Sequence, residues 1–456
     1  MTDPRVGRSI RLVVSGAAAN RIMRTRIADC GKNDVNMRTG DQPSTHRIMR
    51  ATHVVRLLAV IVPVLLPAQA RPRGRELGIP FPGVTGPLNA ITDVAGVAVG
   101  HATIVRGNPG PVVRGSGPVR TGVTAILPRA KGDWDFVMAA TFNQNGNGDM
   151  TGVNWVKESG FLEGPILITG THSVGAVRDA AVEWQVRHGR EFIFTYPLVA
   201  ETFDALSDAL GGHVKPEHAW AALDSAKPGR VLEGAIGGGT GMSCNGFKGG
   251  IGTSSRRIPK TGGGFYTLGV LVQCNYGGDL AVLGAPVRRE LQDVARLCTV
   301  LPGAPTRAWL RNIPKCGSTV PARDDADDGV TGRGSIIIII ATDAPMLPHQ
   351  LERIAKRAGM GLGKLGSAAN NGSGDLFLAF STANRATAND EQERAIAMLP
   401  NDVLDPYFRA TIDATEEAVV NAMLAAETMT GADGLRATAL PADRLVEVLR
   451  KYKRMP

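Results

Sequence analysis

Five consecutive isoleucines, residues 336–340, constrain this chain more than any other stretch. Side chains alternate between the two faces of a strand, so a strand with one wet face alternates apolar and polar residues. An unbroken apolar run reads instead as a strand covered on both faces, inside a layered fold. Gly334 and Ser335 stand at its mouth, where the polar, flexible DDADDGVTGRG ends. A flexible segment that delivers Gly-Ser to a core strand suits a self-cleaving hydrolase. A cut before Ser335 leaves a rigidly held hydroxyl with its own free amine beside it. The same residues also suit an ordinary junction between loop and strand.

At 456 residues, 43% hydrophobic and 20% charged, the chain is long enough for a large core and reads as soluble and globular. Its 56 glycines fall between apolar runs, the pattern of tight backbone approaches rather than disorder. The formal net charge of +9 misleads, because residues 1–70 hold 11 Lys+Arg against 4 Asp+Glu. That leaves +7 in the first 70 residues and +2 in the rest, no basic field for nucleic acid. Five cysteines, Cys30, Cys244, Cys274, Cys298 and Cys316, include no CxxC pair and no His-Cys cluster of zinc spacing. This argues against a structural metal and leaves any disulfide unassigned.

Arg47, Arg50 and Arg56 precede the apolar run LLAVIVPVLL (57–66) and then PAQA, with Ala68 and Ala70 in an A-x-A arrangement. That is the form of a secretory signal peptide over about 49–70, cut after Ala70, and it predicts a secreted or periplasmic protein. A buried short helix is the other reading. Ten residues are too few to cross a hydrocarbon core of ~30 Å as a helix, and no other run is longer, so no membrane span is expected. Met49 makes a conventional start. Residues 1–48 lack apolar periodicity and read as a disordered extension or an over-long start.

In the remainder, residues 80–104 read as turns leading into a short strand. VTAILP (123–128), FVMAATF (136–142), EFIFTYPLVAET (191–202), GVLVQCNY (269–276) and LFLAFST (376–382) read as strands. Helices are predicted over 173–189, 348–363, 406–429 and about 441–453. This mixture without a strict β-α-β rhythm gives α/β or α+β with layered sheets. The linker divides the chain into 71–334 and 335–456. The second part has too few strands for its own core, so one interleaved domain is expected.

Several motifs carry chemistry. NGNGDMTG (145–152) holds two Asn-Gly steps, which let backbone and amide groups approach a ligand, as they also let a plain hairpin turn. Residues 235–256, AIGGGTGMSCNGFKGGIGTSSR, have the glycine density of a phosphate loop but lack G-x-x-x-x-G-K-[ST]. Close backbone packing around an active site is the better account. In VQCNYGG (272–278), Asn275 follows a buried strand, where its amide can serve a developing oxyanion or form a turn. In SAANNGSGDLFLAFST (367–382), Ser373 and Asp375 sit in a Gly-rich turn before a strand. A hydroxyl and a carboxylate at that spacing make a relay beside a nucleophile, or an Asx turn. No G-x-S-x-G elbow and no HExxH occur. His172, His213, His218 and His349 show no metal spacing, and His172 reads as a turn or core residue. A hydrolase with no evident histidine base points to the nucleophile's own α-amine.

ELGIPFPG, GPLNAITDVAGVAVGH, NGNGDMTG, THSVGAVRDA, PLVAET, FKGGIGTSSR, VQCNYG, GSIIIIIATDAP, NGSGDLFLAFSTAN and AAETMTGADG occur in this order. Together, over about 75 to 456, they resemble the L-aminopeptidase/D-esterase and β-peptidyl aminopeptidase family of self-processing serine aminopeptidases. The resemblance implies a four-layer α/β/β/α sandwich, like N-terminal nucleophile hydrolases with different connectivity. It also implies a precursor cut into two chains that stay together, as a homotetramer of such pairs, with no cofactor and no metal. It makes Ser335 the nucleophile, with the cut between Gly334 and Ser335. Ser373 and Asp375 match the family's Ser-x-acid relay, with Asp where some members have Glu. Asn275 matches the oxyanion residue and Glu201 the acid that holds the substrate's ammonium. Phe203 stands in the substrate site where Tyr or Trp is frequent, and lacks the hydroxyl of a tyrosine. SDALGG (207–212) departs from the usual pattern, and residues 299–333 form a longer segment than expected. The implied activity is hydrolysis of an N-terminal residue from peptides, amides or esters through an acyl-enzyme on Ser335. An acyltransferase of related fold and an inactive binding homologue are the alternatives.

Overall fold

The computed structural model describes residues 71–190, 194–294, 297–301, 307, 310, 313–318, 333–388 and 392–456. The leader assigned to 49–70, the extension 1–48 and most of the linker 324–334 lie outside the described residues.

The first half of the chain supplies strands β1 (Ala98–Arg106), β2 (Val119–Leu127) and β3 (Val137–Gly146), then helix α1 (Val153–Ser159). Strands β4 (Phe161–Leu162) and β5 (Ile166–Gly170), helix α2 (Val174–Arg187), strand β6 (Leu198–Thr202) and helix α3 (Pro216–Asp224) follow. Next come the short β7 (Ser243–Cys244) and β8 (Phe247–Lys248), the long β9 (Gly250–Pro259) and β10 (Phe265–Asn275), the turn-length α4 (Val287–Glu290) and β11 (Leu297–Thr299). The isoleucines form β12 (Arg333–Thr342), followed by α5 (Pro348–Lys364), β13 (Gly372–Ser381) and α6 (Asp405–Ala425). Strands β14 (Met429–Thr430) and β15 (Leu435–Ala437) and helix α7 (Ala442–Lys451) end the chain.

Two large sheets result, a four-stranded one in the order β1-β2-β5-β6 and a six-stranded one in the order β4-β3-β13-β12-β10-β9. All five isoleucines are fully buried, and alternation divides them between two cores. Ile337 and Ile339 point between the sheets, among Val99, Ile126, Ile168 and Ala200 of the four-stranded sheet. Ile336, Ile338 and Ile340 point the other way, under Leu351, Ile354, Ala414 and Ala418 of α5 and α6. On the far side, Val177, Trp184 and Ala222 of α2 and α3 cover Val123, Leu167 and Val199. The layers are therefore helix, sheet, sheet, helix. Each buried isoleucine contributes roughly 1.5–3 kcal/mol of transfer free energy. Strands β12 and β13 lie between β3 and β10, so neither side of the Gly334 to Ser335 bond owns a complete central sheet.

Two sequence expectations are corrected. The strand expected over 191–202 is only Leu198–Thr202 among the described residues. Phe194 and Tyr196 are exposed and have no face to cover, and Pro197 has no N–H for a ladder. The helix expected over 406–429 stops at Ala425, because Ala426 turns extended and Met429 and Thr430 pair with β15. The glycine-rich 235–256 packs closely as expected, since a Cβ at Gly239, Gly241, Gly249 or Gly250 would overlap another backbone segment, and from Gly250 it forms an edge strand. Four of the five cysteines form two disulfides, Cys244–Cys274 and Cys298–Cys316, and Cys30 lies outside the described residues. No helix among the described residues is long and apolar enough to cross a membrane.

Ile338→Ala removes a fully buried side chain from the central strand. The expected cost is about 2–5 kcal/mol, read as a lower denaturant midpoint at unchanged slope.

Candidate active site

Neighbouring strands fix which residues meet at the mouth of β12. Antiparallel pairing sets Asn275, the last residue of β10, opposite Ser335. Parallel pairing on the other side sets Ser335 beside Gly374 and Gly334 beside Ser373. Gly146 of β3 completes the row opposite Gly374. Alternation then sorts the side chains. Ser335 shares the face of Ile337, and Asn275 the face of Leu271, both toward the second sheet. Ser373 and Asp375 share the face of Phe377, toward the α5 and α6 layer. The sequence placed these two residues in a turn, but both lie inside β13, because its pairing with β12 begins at Gly372.

Ser335 is nearly buried, and its Oγ accepts the Gly374 N–H at 3.2 Å. The Asn275 amide is held at both ends. Its Oδ1 accepts the Ser243 N–H at 2.9 Å, and its Nδ2 donates to the Phe203 carbonyl at 2.9 Å. One Nδ2–H remains for another acceptor. Gly334 has φ +137°, and a Cβ there would overlap the Asn275 carbonyl, so only glycine fits before the serine. The loop that presents Ser243 is fastened by Lys248. Its buried ammonium donates to the carbonyls of Met242 and Gly249 at 2.8 Å each and of Gly239 at 3.3 Å. Burial pulls this lysine down to about 7.

On the opposite face, Ser373 Oγ donates to Asp375 Oδ1 at 2.6 Å. Asp375 Oδ2 is buried with no hydrogen-bond partner among the described residues. Burial pushes this carboxyl above its ordinary range, and the Ser373 hydroxyl opposes that shift.

Glu201, near the end of β6, is 3% exposed and forms no ion pair among the described residues. Its Oε1 accepts the Asp149 N–H at 3.1 Å, and its Oε2 accepts the Thr171 hydroxyl. Burial raises this carboxyl, the two donors oppose the shift, and the nearby charge of Asp149 adds to it. The NGNGD loop joins the two halves. Its Asp149 holds Glu201, while a Cβ on its Gly148 would stand 3.5 Å from Gly374 Cα.

The structure thus gathers Ser335, Asn275, Gly334 and Glu201 at one end of the interface between the sheets, with Phe203 entering through its carbonyl. Ser373 and Asp375 reach the same strand from its other face. Sequence reasoning missed Thr171, Lys248 and the N–H groups of Ser243 and Gly374. Only Gly374 left a signal: strand alternation puts the residue between Ser373 and Asp375 on the serine's face. His172 stands exposed in a short helical turn. Among the described residues no three His, Cys, Asp or Glu side chains are grouped to hold a metal.

This layered arrangement is that of a solved serine aminopeptidase. The L-aminopeptidase D-Ala-esterase/amidase of Ochrobactrum anthropi, described as a variant of the Ntn hydrolase fold, superposes with a TM-score of 0.72 at 41% identity. The match covers 85% of this chain and all of that one. The chain belongs to peptidase family S58, whose family model matches residues 89–437. Two relatives named beta-peptidyl aminopeptidase BapA agree with this. That of Sphingosinicella microcystinivorans is 46% identical over 88% of this chain and 99% of its own length. That of Sphingosinicella xenopeptidilytica is 43% identical over 86% and 95%. The chain is a peptidase.

A carboxyl raised by burial costs stability once pH exceeds its unfolded value. Below the ordinary aspartate value of 3.8, Asp375 is protonated in both states. Above it the unfolded chain releases the proton first, so the native state loses ground until the folded group ionises. Asp375→Asn keeps an acceptor for Ser373 and removes this loss. The variant is expected to match the parent near pH 3.8 and to become progressively more stable than it as pH rises, in denaturant titrations across pH.

Proposed function

We propose that the chain cuts itself between Gly334 and Ser335 and then, as associated fragments 71–334 and 335–456, works as a serine aminopeptidase. The observation that carries this reading is Glu201: a buried carboxylate with no ion pair among the described residues, across Gly148 from a fixed serine hydroxyl. A lone buried carboxylate is costly, and a substrate ammonium supplies the missing charge. Only the first residue of a chain carries an ammonium next to its carbonyl, so the site selects N-terminal residues. The names of the relatives make β-amino acyl groups the first class to test, beside L- and D-α-residues.

Self-cleavage begins when Ser335 Oγ attacks the Gly334 carbonyl carbon. The C–N bond breaks, its nitrogen takes up a proton and becomes the Ser335 amine, and an ester links Gly334 to Oγ. Water hydrolyses that ester. In turnover the freed amine takes the hydroxyl proton as Oγ attacks the substrate carbonyl. Asn275 Nδ2–H and neighbouring backbone N–H groups stabilise the oxyanion. The leaving amine receives the proton, and water hydrolyses the acyl-enzyme. The pairing of Ser373 with Gly334, on the face away from Oγ, favours the Ser373–Asp375 pair as the support of the amine rather than a direct partner of the hydroxyl. The reading extends to export with removal of 49–70 and to a homotetramer of fragment pairs. An N-terminus at Arg71 and light scattering of secreted protein test both.

Intact-mass measurement of purified protein is expected to show two fragments, the smaller beginning at Ser335. Ser335→Ala is expected to stay one chain and to lose activity; an uncut yet active parent sinks the proposal. Glu201→Gln keeps the shape and removes the charge. KM for amine-bearing anilides is expected to rise about 10- to 100-fold, with self-cleavage intact.

A further inference from the structure

Gly148 lies in the loop that leads from β3 to α1, and its backbone does not demand glycine, since its φ is not in the left-handed region. Space around it is what a side chain would take. A Cβ at 148 would stand 3.1 Å from Glu201 Oε1, 3.4 Å from Leu376 Cδ1 and 3.5 Å from Gly374 Cα. Gly374 in turn places its N–H 3.2 Å from Ser335 Oγ. The missing side chain therefore points into the gap between the carboxylate and the nucleophile. Gly146, two residues earlier, is different: its φ is equally ordinary, and a Cβ there meets nothing within 4 Å.

A substrate must lay its first residue across that gap, with its ammonium at Glu201 and its carbonyl carbon at Ser335. An α-residue places one carbon between the two groups. A β-residue places two, which adds one C–C bond of about 1.5 Å. We propose that Gly148 is a specificity-determining residue: its bare backbone is the floor of the first-residue subsite and provides the room for the second carbon of a β-amino acyl group. The inference rests on the reading of Glu201 as the ammonium site. A methyl group at 148 narrows the gap, and it penalises the longer β-acyl group more than the α-acyl group.

The test compares self-cleaved parent, Gly148→Ala and Gly146→Ala on two p-nitroanilides, of β-homoalanine and of L-alanine. In Gly148→Ala the β-to-α ratio of kcat/KM is expected to fall about tenfold or more, the usual range for one crowded methylene. In Gly146→Ala it is expected to stay within about twofold. If the parent turns over only the β-substrate, the same loss on that substrate is read against Gly146→Ala. Equal losses on both substrates, an unchanged ratio, or a parent that takes no β-substrate overturns the proposal. Two fragments by mass and a melting temperature near that of the parent certify folding. If Gly148→Ala does not cut itself, Leu376→Val is added to withdraw the methyl nearest the new Cβ, and the ratio in the double variant decides by the same criterion. Glu201→Gln separates the two readings. KM unchanged for both substrates removes the ammonium site, whereas KM raised for both with an unchanged ratio in Gly148→Ala removes only the floor.

Discussion

The site depends on the register of β12 between β10 and β13. Side chains repeat every two residues along a strand, so a slip of one residue would exchange its two faces. Five isoleucines buried on both faces make the strand hard to expel, but they do not set its phase, since either face accepts isoleucine. Phase comes from the polar end. Gly334 fits under the Asn275 carbonyl only without a side chain, and Ser335 Oγ meets the Gly374 N–H. In this register Asn275, Ser335 and Gly374 form one row across three strands. A slip would bring a bulky isoleucine or Arg333 to a position that tolerates only glycine or serine.

Carboxylates show a second division of labour. Two buried acids away from the site have a guanidinium beside them. Glu417 takes Arg256 at 2.7 Å and Arg75 at 2.9 Å, and Glu233 takes Arg73 at 2.7 Å. Glu201 and Asp375 are as deeply buried, yet receive only neutral donors, from Thr171 and Asp149 or from Ser373. Burial dominates and both carboxyls move upward, as at Glu233 even with Arg73 beside it. Such groups favour a cation or a proton that arrives from outside the fold.

The central layers were legible in the sequence because their cause is local. An unbroken isoleucine run, apolar stripes at helical spacing from Pro348, and the strand ending in Asn275 each signal their own burial. The site was legible only where side chains carry it: Ser335, Asn275, Glu201, Ser373 and Asp375 were named, but their arrangement was not. Ser373 and Asp375 read as a turn because glycines surround them, whereas long-range pairing with β12 makes that segment a strand. Backbone donors such as Ser243 N–H leave no trace in residue identity, and nothing in the sequence around Lys248 marks the loop that buries it. The strand expected across 191–202 fails for the opposite reason: its pattern is local, but Phe194 and Tyr196 stay largely exposed.

These facts together give the peptide bond before Ser335 a structural purpose. While the bond is intact, Arg333 and Gly334 belong to β12 and pair with Gly372 and Ser373, so the strand enters the sheet as one continuous element. In the proposed self-cleavage the serine is thereby fixed before its amine exists. A free N-terminus would have to find the centre of a six-stranded sheet at the cost of ordering every residue that follows it. A cut made after folding avoids this, because the isoleucines already hold the strand on both faces. The proposed cut also exposes the new amine between two sets of groups already in place. Toward the second sheet lie the hydroxyl, Asn275 and, across Gly148, Glu201; toward the helices lie Ser373 and Asp375. In that proposal one strand separates the groups assigned to the substrate from those assigned to the amine, and the cut connects them.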